Sequence, residues 1–168
     1  QPNLRINVHI TDETCTLSID SSGKSLHKRG YRLETNEAPI SEALAAGLIL
    51  LSGWDKKSHF VDGMCGSGTF LVEAAMIGAN IPANINREHF AFHEWPDYNE
   101  ELWNMIRNSQ LKRAQDCYGR IIGYDLNPDT VASAKLNIAN SGLEDYIEIY
   151  CENFFETKKP EGPTHLVF

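Results

Sequence analysis

Residues 62–69, Asp-Gly-Met-Cys-Gly-Ser-Gly-Thr, put a carboxylate ahead of a loop in which three glycines fall within six positions. Glycine lacks the Cβ that keeps a ligand away from the backbone, so such a loop can bring bare amides against a nucleotide-like group. Apolar Phe60-Val61 precedes it and an apolar helical pattern follows at Phe70-Leu71, which reads as strand, tight loop, helix. Two more polar groups close short apolar runs in the same way: Asp125 after residues 121–124, and Asn153 after residues 146–150. Ligands of parallel sheets sit outside the carboxyl ends of the strands, where the strand order reverses. Asp62, Asp125 and Asn153 then form one line across one crevice.

A dinucleotide fingerprint needs a third glycine where this chain has Leu71, and a P-loop needs a lysine that is missing beside Thr69. A carboxylate ahead of the loop repels a pyrophosphate but suits a cofactor carrying a cationic amino group. Asp125 suits a bidentate contact to ribose hydroxyls. Asn153 offers an amide to an adenine edge and Phe154 a ring to its face. Amino acid, ribose and adenine in that order describe S-adenosylmethionine. Each acid also has a plain reading as a helix cap, Asp125 through the turn at Asn127. Cys65 has no histidine or basic residue nearby to activate it and is not read as a nucleophile. Two rivals stand beside this reading, an NAD-dependent oxidoreductase and a non-catalytic nucleotide-binding or assembly module. The missing glycine, and the lack of a hydride-transfer residue, weigh against the first.

Lys24, His27, Lys28, Arg29 and Arg32 fall within nine residues of a chain whose formal net charge is −8. The overall charge argues against a general nucleic-acid binder, while the local run allows either a solvated face or an RNA contact. The 168 residues fit one domain with a proper core. No apolar run approaches the ~20 residues of a membrane span. Cys15, Cys65, Cys117 and Cys151 have no metal or disulfide spacing, so reduced thiols in a cytoplasmic protein are the simpler account and no metal is expected.

The elements that must position these groups follow from periodicity. Residues 4–10 and 15–20 alternate apolar and polar around Thr11-Asp12-Glu13, a hairpin that must pack on something. From Pro39 a helix is predicted whose buried face is Ile40, Ala43, Leu44, Gly47, Leu48 and Leu51. A strand over 58–62, a helix from Thr69 to Ile77 stopped by Gly78, and a strand over 120–125 come next. Asn127-Pro128 caps a helix carried by Val131, Ala134, Leu136 and Ile138 and closed by Gly142. Strands over 146–150 and from Thr164 complete an α/β parallel sheet of Rossmann-like character, preceded by the hairpin. Residues 79–119 interrupt this order with Phe90, Phe92, Trp95, Tyr98 and Trp103 and a helix over 98–115. They read as an insertion with its own small cluster, covering one end of the sheet, its aromatics core rather than a substrate platform.

The motif Asp62-Gly63-Met64-Cys65-Gly66-Ser67-Gly68-Thr69 resembles the D-P-x-C-G-S-G-T signature of the THUMP-associated RNA guanine-N2 methyltransferases, and of their bacterial 23S rRNA branch in particular. Leu26-His27-Lys28-Arg29-Gly30-Tyr31-Arg32, Ala38-Pro39-Ile40 and Asp125-Leu126-Asn127-Pro128 are similar to its flanking motifs. The resemblance implies a class I methyltransferase sheet over 24–168 and, over 1–23, the end of a THUMP-like RNA-binding domain. It implies S-adenosylmethionine held by Asp62, Met64, Cys65, Gly66, Gly68, Thr69, Asp125, Leu126, Asn153 and Phe154, with Thr35 and Pro39 alongside. RNA, 23S rRNA or alternatively tRNA, would meet Lys24, Lys28, Arg29 and Arg32. The family's catalytic N-P-P-Y would follow Phe168, so the expectation is a cofactor-binding half without turnover of its own. Two departures stand out: Gly63 replaces the family's proline, and Asn153 replaces an aspartate.

Overall fold

The computed structural model describes residues 4–33 and 40–168; Thr35, Pro39 and the expected helix start at Pro39 lie outside them. The chain runs β1 (Ile6–Ile10), β2 (Cys15–Ile19), α1 (Glu42–Leu51), β3 (His59–Asp62), α2 (Thr69–Gly78), α3 (Glu100–Leu111), β4 (Ile121–Asp125), α4 (Pro128–Ser141), β5 (Ile147–Cys151) and β6 (Thr164–Val167). β1 and β2 make a separate antiparallel hairpin, and the other four strands form a parallel sheet in the order β5-β4-β3-β6. The chain therefore steps outward from β3 to β5, then returns to the other side of β3. That reversal lies between β3 and β6.

Alternation along the strands divides the sheet into two faces. Phe60, Ile121 and Ile147 join Leu71, Val72, Ala75 and Met76 of α2, Ile138 of α4 and Ile49 of α1 in the main core. Val61, Ile122 and Tyr124 point the other way and meet Phe154 instead of a helix. Gly123 lets β4 pack directly under α2, since a Cβ there would clash with the Leu71 side chain. Leucine and phenylalanine side chains buried as fully as Leu71 and Phe60 contribute about 2 kcal/mol each.

Two packing expectations are overturned. In α1 the buried residues are Glu42, Ala45 and Ile49, while Leu44, Leu48 and Leu51 are exposed. Nine of its ten residues are apolar or glycine, so periodicity could not choose a face, and contact with α2 chose it. α2 runs through Gly78, and the left-handed residue that follows is Asn80 (φ 54°). Gly78 is instead a close-packing site, its missing Cβ 3.1 Å from both Cys117 Sγ and the Trp54 ring. The insertion's aromatics form a small cluster of their own, as expected: they are half-buried, with Phe90, Phe92 and His93 edge-on to Trp103, apart from the main core. Their segment bonds to residues 21–22 rather than to a strand, through Ala91 N to Ser22 O (3.3 Å) and Phe92 N to Ser21 O (3.1 Å). The helix within the insertion is also shorter than expected, starting at the Asn99 cap.

The hairpin keeps its register, Val8 opposite Leu17, but every residue in both strands is exposed. Ile6, Val8, Leu17 and Ile19 share one face that nothing among the described residues covers.

Candidate cofactor site

β3 delivers Asp62 to the sheet's carboxyl edge, with Val167 of β6 and Gly123 of β4 on either side. Asp62 is 2% exposed and accepts one bond, from Met64 N (3.1 Å). Burial, aided by the nearby charge of Asp125, pushes its carboxyl up to about 7, although the Met64 amide pulls the other way. A buried carboxylate with spare acceptor capacity favours a cationic partner. The loop then turns through Gly66 (φ 53°) and Gly68 (φ 82°), a backbone that other residues adopt only with strain. Gly68 is the N-cap of α2 and offers no side chain to its first turn. The amides there are free of a side-chain cap, and the helix dipole presents partial positive charge at the same point.

Asp125 ends β4 one strand over and binds the loop across the gap: Gly66 N donates to Oδ2 (3.1 Å) and Asn127 N to Oδ1 (2.9 Å). The turn-capping reading of Asp125 is thus realised, and each oxygen retains a second lone pair for a ligand. Cys65 is buried with its thiol pushed up by burial and by the two acids, so it packs rather than attacks; its N donates to Tyr124 O (2.8 Å). Met64 and Leu126 are exposed beside these turns, at 62% and 69%.

On the expected adenine side both residues also have partners within the chain. Asn153 caps a short 3₁₀ turn, accepting from Phe155 N (3.1 Å) and donating to Glu156 Oε1 (2.9 Å). Phe154 packs tilted against Tyr124 and edge-on to Phe168, on the face of the sheet away from α2 and under Gly63. A Cβ at Gly63 would lie 2.9 Å from the Phe168 ring and 3.1 Å from the Phe154 ring.

The basic run is divided in two. Arg29 and Arg32 turn inward, their side chains 11% and 12% exposed. Arg29 pairs with Glu73 of α2, which also accepts from Tyr31 OH (3.2 Å). Arg32 faces Glu42 and donates to Thr69 Oγ1 (2.6 Å) and Ile40 O (2.8 Å). These two arginines therefore hold the glycine corner and do not belong to the solvent-facing basic surface. Lys24 and Lys28 remain exposed.

Two positioning residues were not anticipated. Asn137, fully buried, accepts from Leu33 N (3.0 Å) and donates to Ser67 O (3.1 Å), tying α4 to the loop. Glu73 sits 1% exposed inside α2, its carboxyl pushed up by burial against the pull of Arg29. The available signal was polarity out of place: an asparagine one turn beyond Ala134, and a lone carboxylate in Thr-Phe-Leu-Val-Glu-Ala-Ala-Met.

Comparison with known proteins decides the family. Residues 29–167 match the RMKL-like methyltransferase domain family. The chain belongs to that family. It is 38% identical over 159 residues to the ribosomal RNA large subunit methyltransferase K/L of Desulfotalea psychrophila, covering 90% of this chain and 22% of that protein. Among solved structures, SMU.472, described as a methyltransferase and complexed with SAH, has a TM-score of 0.88 and 40% identity over 97% of this chain and 42% of its own. A protein from Listeria monocytogenes described as an N6-adenine-specific DNA methylase also has a TM-score of 0.88, with 36% identity over 97% of this chain and 43% of its own. The chain thus spans about a fifth of the curated relative's length and under half of either solved chain. Among the described residues no helix is long and apolar enough to cross a membrane.

Proposed function

We propose that this chain is the S-adenosylmethionine-binding part of an RNA methyltransferase acting on guanine N2 of large-subunit rRNA. One observation carries the reading: two carboxylates at adjacent strand ends flank a helix start capped only by glycine. Asp62 would meet the cofactor's amino group, the loop amides its carboxylate, and Asp125 its ribose. The cofactor supplies an electrophilic methyl group, and the protein contributes alignment and charge placement. Asp62 holds the cationic end fixed, while Asn137 and Arg32 keep the loop from shifting. The RNA substrate is supported by the name of the rRNA methyltransferase relative, and the guanine-N2 assignment by the motifs at 26–32, 62–69 and 125–128. A base in folded RNA would leave its stack to reach the methyl group.

Residues 1–168 should bind S-adenosylmethionine and its demethylated product by calorimetry without methylating rRNA. A folded sample giving no heat with either favours the non-catalytic module. The full-length protein carrying this chain, offered rRNA and DNA, should yield N2-methylguanine in the RNA. N6-methyladenine in DNA would instead assign it the activity in the Listeria neighbour's name.

A further inference from the structure

A crevice of about 980 Å³ opens between residues 22–28 and residues 86–94, with Arg5 at its wall. None of its lining residues belongs to the glycine loop or to a strand end. Its fixed cations are Arg5, Lys24, Lys28 and Arg87, set against Glu88 and Glu94. His89 also lines it and lies 3.0 Å from Glu94, while Arg5 is 3.6 Å from Asp20. Positive charge thus gathers in one concave place on a chain of formal net charge −8.

The crevice is built rather than a chance gap. Arg87 spans it, donating through Nη2 to Ser22 O (2.6 Å) and Lys24 O (2.9 Å) and through Nε to His89 O (3.0 Å). Its guanidinium lies 4.5 Å over the Phe90 ring, and its Nη1 is buried with no partner among the described residues. At Gly23 (φ 79°) the two walls approach so closely that a Cβ would sit 3.3 Å from Ala91 Cβ. The same segment continues into Arg29 and Arg32, bonded to Glu73 and Thr69 of α2. The crevice wall and the cofactor corner are therefore joined by one braced stretch of chain.

We propose that this crevice seats backbone phosphates of the RNA substrate, with Lys24, Lys28 and Arg5 as the contacting cations and Arg87 as the brace that holds the walls. Phosphate contacts fix register without reading sequence, and here they set the RNA's position relative to the glycine loop. The proposal rests on the RNA-methyltransferase reading above.

The test uses the full-length protein with a fluorescent hairpin RNA, measuring anisotropy across a salt series beside calorimetry with the demethylated cofactor. Lys24→Gln/Lys28→Gln should weaken RNA binding about tenfold and flatten the log–log salt dependence by about 1.5 to 2, one unit or slightly less per lost phosphate contact. Lys24→Arg/Lys28→Arg should retain most of the affinity, and Glu88→Gln should tighten binding about twofold. Cofactor affinity should stay constant in all of them. Unchanged RNA affinity and slope in the glutamine variant overturn the crevice alone. A parent protein that binds cofactor but no RNA overturns the RNA reading and this proposal with it. Displacement of the RNA by a few millimolar inorganic phosphate would make the crevice a free-phosphate site and also overturn it.

Discussion

The β3–α2 and β4–α4 corners share one grammar, an apolar strand, an aspartate at its end, a turn and a helix, yet they finish their helices in opposite ways. At β4–α4 the chain closes itself. Asn127 Oδ1 accepts from Asp129 N (2.9 Å) and Thr130 N (3.4 Å), and Pro128 removes one of the amides that would need a partner. At β3–α2 the cap is Gly68, with no side chain to offer, and the acid before it is buried rather than half-buried. A helix start that caps itself adds stability, and one capped only by glycine is left to bind. The two corners then cooperate, because Asp125 of the closed corner grips Gly66 of the open one.

Removing the acid of the open corner should have the largest effect. Asp62→Asn keeps the shape but loses a charge-assisted contact worth about 1.5–3 kcal/mol, so affinity for the demethylated cofactor should fall by about 100-fold in calorimetry. Stability should move the other way. The folded carboxyl titrates near 7 against an ordinary 3.8. Between those values the folded chain holds the proton more tightly than the unfolded one, so unliganded stability falls as pH rises. Denaturant melts should show that fall in the parent between about pH 4 and 7 and a flatter profile in Asp62→Asn. Cofactor affinity in the parent should rise over the same range as Asp62 ionises. An affinity independent of pH there would separate Asp62 from the cofactor's cation.

Gly68→Ala comes next. Its φ of 82° imposes about 1–2 kcal/mol of backbone strain on alanine, while a Cβ would meet Ala134 at an ordinary 3.4 Å. The urea midpoint should drop accordingly, with cofactor affinity weakened about tenfold. The smallest effect is reserved for the closed corner: Asn127→Ala should cost about 1 kcal/mol of stability and leave cofactor affinity within twofold. Equal loss of affinity in Asn127→Ala and Gly68→Ala would erase the distinction between the corners.

Much of this was legible because it is local. Glycine spacing, the acid at each strand end, the Asn127-Pro128 cap and Gly142 at φ 69° closing α4 depend on a few neighbouring residues. The two strand-end acids were found from sequence, and the structure brings them to adjacent strands bridged by the loop. The basic run was legible only as a group. Nothing in its spacing separated Arg29 and Arg32, which have buried acids to meet, from Lys24 and Lys28, which do not. Asn153 and Phe154 were located at the right strand end, but their partners Glu156, Tyr124 and Phe168 come from the turn and the sheet's far face.

By itself the sequence determined the order of elements, the parallel α/β class and the glycine corner with its acids, because periodicity and φ preference act over a few residues. Tertiary structure alone decided which face of α1 is buried, where the insertion docks, which basic residues stay exposed, and that Asp62 is held near neutrality. Each of those depends on what lies across space, on α2, on residues 21–28, on Glu73 and Glu42, and on Asp125. A uniformly apolar helix or a plain run of cations carries no record of its future neighbour.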